Sequence, residues 1–267
     1  MVTTVYDCQN LHRFAAMGGI YGNVPALKAC LQDAKEQQCE TLLFLGDAIG
    51  FCGHSDEVID LVRQHFDILI AGNHELEAVA GSNTCGCGYA SPEDERLSSI
   101  AAEWSLLDLS EGNRQWLGTL PGVAIINTAA GRILLCHGSP DRTNEFLFES
   151  ELDEQRLIQW LEQYQAVGFI CTHSGLPWIR HLKDGRFAAN CGVVGKPDND
   201  GDPAIHYLMV TVATDSVQNI VVQRVEYNHL DWINILKREG VNAMFTEPLR
   251  TGLWTYGVAS LPSQPFS

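Results

Sequence analysis

Ala71-Gly72-Asn73-His74-Glu75 follows directly on Asp67-Ile68-Leu69-Ile70, and this junction decides the fold. A short apolar run is the pattern of a buried strand, and open α/β sheets place their chemistry where the chain leaves such a strand. Asn73 and His74 are therefore expected to face a site. Three further apolar runs end in similar phrases: Leu45-Gly46-Asp47, Leu135-Cys136-His137-Gly138 and Ile170-Cys171-Thr172-His173. Taken singly, Asp47 could cap a helix and His137 could be a turn histidine. Their joint occurrence at four strand ends suggests one metal centre, built from lone pairs of a carboxylate, an amide and imidazoles.

Working outward, residues 13–17 read as the first strand after a loose leader over residues 1–12. The strand runs into Gly18-Gly19-Ile20-Tyr21-Gly22-Asn23, where three glycines imply tight or positive-φ backbone. A helix then starts around Pro25, with Leu27, Cys30, Leu31 and Ala34 on one face. The unit repeats with a strand at 41–45 and a helix from about Ser55, whose inner face is Val58, Ile59 and Val62. Such alternation predicts parallel strands with helices on both faces. Residues 81–121 form an insertion of different character, carrying Cys85 and Cys87, and long excursions from a strand end roof sites. The second half is richer in strands, with a helix capped by Ser150 and a later one from Asn228 stopped by Gly240. No linker or repeat divides the chain, so one domain over 1–267 is expected, with 81–121 as a cap-like segment.

The chain has 17 basic and 33 acidic side chains, a formal net charge of -16. That charge repels polyanions and leaves no basic stripe to follow a phosphate backbone, so a nucleic acid polymer is not an expected partner. A small phosphate ester would need positive charge supplied locally, as a divalent cation does. No apolar run reaches the ~18 residues of a membrane span, so no membrane partner is expected. The N-terminus lacks a basic region followed by an apolar core, so a cytoplasmic location is expected. Nine scattered cysteines fit buried thiols in a reducing compartment better than a disulfide framework. The sequence implies no particular oligomeric state.

With these motifs in order, the chain resembles the calcineurin-like metallophosphoesterases, in particular small bacterial phosphodiesterase/phosphatase-type members. The resemblance is carried by Gly22-Asn23 before Pro25, Gly46-Asp47 with Gly50, Gly72-Asn73-His74-Glu75, and His137-Gly138-Ser139-Pro140. Residues 171–180, Asn190 to Pro197 and the tail from Tyr227 to Gly252 carry it further. It implies an α/β four-layer sandwich, two mixed β-sheets packed face to face and flanked by helices. It also implies two-metal hydrolysis of a phosphoester, in which a bridging carboxylate holds a pair of ions. Asp47 takes the bridging role, Asn73 and His137 are ligands, and His74 assists the leaving oxygen.

The departures carry information. The family's first motif would place an Asp at Gly19 and a His at Tyr21, and its later motif retains a first His at His173 but has Gly175 for the second. The three losses all belong to one ion of the pair, while Asp47, Asn73, His137 and His173 all belong to the other. The resemblance thus implies a mononuclear site for one Mn, Fe or Zn ion, acting on a small phosphorylated metabolite, either a phosphomonoester or a simple diester. Missing positive charge would come from Arg142, Arg180 or the amides of residues 18–22, and Tyr21 and Asn23 complete the expected substrate contacts. Two alternatives stand beside hydrolysis: redox or other metal chemistry on the same scaffold, and a metal-binding pseudoenzyme.

Overall fold

The computed structural model describes residues 2–262, so Met1 and residues 263–267 of the expected domain lie outside the described residues. The chain begins with β1 (Thr3–Asp7), β2 (Arg13–Met17), α1 (Val24–Glu36), β3 (Thr41–Phe44), α2 (Ser55–His65) and β4 (Ile68–Leu69). Three helices follow: α3 (Asn73–Ala80), α4 (Pro92–Leu106) and α5 (Glu111–Leu117). Next come β5 (Val123–Thr128), β6 (Gly131–Cys136), α6 (Glu154–Gln163), β7 (Ala166–Cys171), β8 (Trp178–His181) and β9 (Phe187–Asn190). The chain closes with β10 (Ile205–Val212), β11 (Val217–Val225), α7 (His229–Glu239) and α8 (Ala243–Thr251).

Both sheets are mixed. One has the order β11-β10-β2-β3-β4, in which β2, β3 and β4 run parallel and β10 is antiparallel to both its neighbours. The other has the order β1-β5-β6-β7-β9-β8, with parallel pairing of β1 to β5 and of β6 to β7 to β9. Near-continuous apolar strands are the expected composition of sheets covered on both faces. Between the sheets lie Phe14, Ala16, Leu43, Leu45, Leu135, Ile170 and Leu208. Helices α1 and α2 cover the outer face of the first sheet through Leu27, Cys30, Val58 and Ile59. Helix α6 covers the second through Leu157, Trp160 and Leu161. These are the four layers expected from the sequence. The parallel strands of both sheets bring their carboxyl ends to one edge, which gathers the four motifs there.

Three local expectations are corrected. Residues 3–7 of the supposed leader form β1, which alternates exposed and half-buried side chains at the sheet edge. No apolar run announces such a strand, because its stabilisation is backbone pairing to β5. The helix after residue 150 is capped by Asp153, whose side chain accepts the Gln155 and Arg156 amides, and Ser150 lies in a short 3₁₀ turn before it. Strand β8, at the opposite edge of the same sheet, carries Trp178 and Arg180 and was not expected.

Leu208 is fully buried between the sheets, whereas Val5 is 54% exposed. Leu208→Ala is expected to lower the unfolding free energy by about 2–5 kcal/mol. Val5→Ala should change it by no more than about 0.5 kcal/mol. Urea titration of both variants checks this contrast.

Candidate metal centre

Each expected ligand enters the site from a strand end. Asp47 follows β3, Asn73 opens α3 just past β4, His137 follows β6, and His173 follows β7. Asp47 Oδ2 lies 3.2 Å from His137 Nε2, and His137 Nε2 lies 3.1 Å from His173 Nδ1. All three side chains are buried. Donor atoms of these three residues fall within 4.8 Å of one another.

Hydrogen bonds fix which atoms point inward. His137 Nδ1 donates to the Leu45 carbonyl at 2.6 Å, which leaves Nε2 for the site. The Asn73 amide donates through Nδ2 to the Cys85 carbonyl at 2.7 Å, which leaves Oδ1 as a free acceptor. Asn73 Oδ1 and His173 Nε2 are buried with no hydrogen-bond partner among the described residues. A buried acceptor left unpaired costs about 1–3 kcal/mol, and a divalent ion beside Asn73 Oδ1 would remove that cost; on His173 the atom facing the cluster is Nδ1, not the unpaired Nε2. The residues present therefore fit a metal ion: Asp47, His137 and His173 would hold it, with Asn73 Oδ1 as a further candidate ligand.

The electrostatics agree. Burial opposes the charge on Asp47, but the His137 and His74 rings outweigh it and hold the carboxyl well below its usual range. Burial likewise opposes a charged His137, yet Asp47 raises its pKa overall. Burial, with His137 alongside, pulls His173 down to about 3, which leaves that ring neutral, the form a ligand takes.

Backbone geometry at the site is strained. Tyr21, Asp47 and His173 all have positive φ, at 53°, 63° and 55°. Such conformations cost about 1–3 kcal/mol each and persist only where surroundings enforce them. Glu75 is one enforcing group. Its buried carboxylate accepts the amides of Asp47 at 2.7 Å, Ala48 at 2.8 Å and Gly72 at 2.7 Å. A Cβ on Gly72 would lie 2.2 Å from Asp47 Oδ1, so only glycine lets the two turns approach this closely. The motif containing Glu75 was visible in the sequence, but its clamping role was not.

His74 stands at the edge of the cluster. Its Nδ1 donates to the Ile49 carbonyl at 2.9 Å, and its Nε2 lies 3.7 Å from Asp47 Oδ2 and 3.4 Å from Cys87 Sγ. Cys85 and Cys87 are joined as a disulfide, against the expectation of free thiols, and donor atoms of both fall within 4.8 Å of a ring nitrogen of His74. They line the cleft above His74 together with Tyr89, Ser98 and Ala101 of the 81–121 segment. The free volume inside is about 30 Å³, room for one or two water-sized bodies.

Three of the expected substrate contacts lie elsewhere. Arg180 donates to the carbonyls of Glu149 and Leu152 and lines a separate hollow beside β8. Its direction is set by antiparallel pairing, which turns it away from the His173 loop. Arg142 is exposed on the turn after His137 and does not line the cleft. Asn23 is buried as the cap of α1 and donates to the Gly195 carbonyl and the Tyr227 hydroxyl. The amides of Gly19, Ile20, Tyr21 and Gly22 are likewise spent, on the carbonyls of Gly46, Asp47 and Ala48. Tyr21 does line the cleft, its ring 5.5 Å from that of His74. The basic side chain that lines it is Lys196, which sequence reasoning passed over. Burial pulls its ammonium down to about 7, opposed by Asp94.

Sequence comparison matches this architecture. The model of the calcineurin-like phosphoesterases covers residues 11–200, and the chain belongs to that family. The uncharacterized protein MJ0912 of Methanocaldococcus jannaschii is 24% identical over 230 residues, covering 80% of this chain and 87% of the relative. A metallophosphoesterase from Sphaerobacter thermophilus superposes with a TM-score of 0.71 at 23% identity, covering 91% of this chain and all of the other. The hypothetical protein PH1004 from Pyrococcus horikoshii OT3 gives a TM-score of 0.71 at 16% identity over 91% and 99% of the two chains. Among the described residues no helix is long and apolar enough to cross a membrane.

Two outcomes are expected. Glu75→Gln places N–H groups against the amides of residues 47, 48 and 72, and should weaken metal binding about tenfold or more, read by competition with a chelator. Lys196→Met should raise the melting temperature of the metal-free protein. The folded ammonium titrates near 7 against an ordinary value of 10.5, so its burial costs most below about pH 7. That cost fades as pH rises toward 10.5, and the gain on substitution, followed by calorimetry across this range, should fade with it.

Proposed function

We propose that this cleft hydrolyses a small phosphoester with the help of one divalent ion. The observation that carries the reading is the convergence of Asp47, His137 and His173, whose donor atoms fall within 4.8 Å of one another, with His74 Nε2 facing the same carboxylate and the Asn73 Oδ1 acceptor buried and unpaired among the described residues. A divalent ion held there would supply Lewis acidity toward a phosphoryl oxygen and lower the pKa of a water.

The remaining work falls to side chains of this chain. In hydrolysis, a water oxygen bonds to phosphorus while the bond to the ester oxygen breaks, and that oxygen must gain a proton. With Nδ1–H committed to Ile49, His74 Nε2 is the atom free to carry a proton into the cleft. Asp47 holds the geometry through its bond from the His74 amide at 3.1 Å. The aromatic lining of Tyr21, Phe51, Tyr89, Phe146 and Tyr256 keeps the surroundings poor in water, which strengthens every charge interaction inside. About 30 Å³ is far below the ~300 Å³ of a metabolite pocket, so substrate binding requires the lining of the cleft to open.

After reconstitution with manganese, iron or zinc, elemental analysis should find about one ion per chain. A panel of phosphomonoesters and simple diesters should then include a substrate. His74→Asn should reduce its turnover about 100-fold while metal affinity changes far less. Equal loss of both would make His74 a ligand. Bound metal with no hydrolysis across the panel would move the assignment to the redox or binding alternatives.

A further inference from the structure

Lys196 is 6% exposed, yet among the described residues its ammonium makes no hydrogen bond and no ion pair. What holds it is aromatic: Nζ lies 3.4 Å from the centre of the Trp254 ring and 4.7 Å from that of Tyr256. The carboxylate whose field reaches it, Asp94, accepts the Gly257 amide. A buried cation with ring faces on one side and no counter-ion is a costly arrangement unless an anion arrives.

The seat is built, not incidental. The Trp254 indole donates to the Pro197 carbonyl at 2.6 Å, and its backbone amide donates to Asn199 Oδ1 at 2.7 Å. Gly195 donates to the Gly19 carbonyl at 2.8 Å, and a Cβ on it would lie 2.1 Å from the Ile20 carbonyl oxygen. The residue before the lysine is thus pinned against the loop that carries Tyr21.

Tyr21 is the second unpaired donor. Its hydroxyl makes no hydrogen bond among the described residues. Burial, with Asp47 nearby, raises the phenol well above its ordinary pKa, so it stays a donor. Tyr21 and Lys196 line the same cleft as Asp47, His74 and His173.

Both donors border positions where the chain has glycine. A Cβ on Gly19 would lie 3.0 Å from the Tyr21 hydroxyl and 2.3 Å from Val193 Cγ1. A Cβ on Gly175 would lie 3.0 Å from the same Trp254 ring that carries the ammonium. A ligating side chain at Gly19 would require Val193 to move, and one at Gly175 would press on the Trp254 ring.

We propose that Lys196 Nζ, with the Tyr21 hydroxyl, is the oxyanion anchor of this cleft, donating to the non-bridging oxygens of a substrate phosphoryl group. The inference deepens the phosphoester reading and rests on it for the identity of the anion. It assigns the positive charge to a side chain where a second ion has no ligands.

The test is binding of inorganic phosphate to the metal-loaded full chain, measured by titration calorimetry. Lys196→Met and Lys196→Gln should each weaken phosphate binding about tenfold or more, and Tyr21→Phe about threefold. Metal content should be unchanged in all three. Phosphate should raise the melting temperature of the wild type and do so much less for either lysine variant. Wild-type phosphate affinity in a folded lysine variant would overturn the inference, as would absence of phosphate binding to the wild type at millimolar concentration. A lysine variant with a lower melting temperature than the wild type would mark a structural role and also overturn it; if both variants fail to fold, that is the same result. Phosphate binding that depends on Lys196 without any ester hydrolysis would leave the anchor standing and remove the hydrolytic reading. Hydrolysis with lysine-independent phosphate binding would do the reverse.

Discussion

One buried carboxylate organises the site without touching its centre. Glu75 accepts three backbone amides, two from the turn after β3 and one from the turn before α3. Those three bonds tie together the two chain segments that supply Asp47, Asn73 and His74. Burial and the nearby Asp47 charge raise the Glu75 pKa, opposed by the amides that point at it. The carboxylate can stay charged there only because backbone dipoles replace water. Without the clamp, Asp47 would have little reason to hold a left-handed backbone conformation.

That strain has a functional logic. Tyr21, Asp47 and His173 each lie in the turn after a strand in a conformation side chains avoid, and each side chain lines the cleft. A relaxed extended continuation would carry the same residues onward past the sheet edge. The cost is spread over two sheets: amides of residues 19–22 bond to residues 46–48, and His137 bonds back to Leu45. Each segment is held by a neighbour that is itself held, so the candidate ligands are positioned without an ion.

What was legible in the sequence follows from this construction. A buried strand is an apolar run, and a candidate ligand at its end is a polar residue where the run stops, so Asp47, Asn73, His74, His137 and His173 could all be singled out one strand at a time. The four layers followed from the alternation of strand and helix. Strand β1 was illegible because its partner is backbone and its side chains are half exposed. Arg142 and Arg180 sit beside the right motifs in the chain, but position in sequence does not fix direction: one is in solvent and the other bonds to carbonyls beside β8. Lys196 was hidden for the opposite reason. Its environment is made by Trp254 and Tyr256, from a tail that returns to the cleft after two strands and two helices.

The overall charge of -16 sharpens the meaning of that lysine. At distances beyond a Debye length, about 8–10 Å, an anionic substrate feels weak repulsion from the whole surface, so the protein does not steer it inward. Attraction has to begin inside, where the aromatic lining removes water and a single positive charge acts at low effective dielectric. An ammonium resting on ring faces suits that task, because aromatic rings stabilise a cation without offering the carboxylate oxygen that would neutralise it. A lysine paired to an acidic side chain would be more comfortable in the empty protein and less useful to an arriving phosphate. The unpaired Lys196 therefore represents a cost carried by the free protein that binding of an anion relieves.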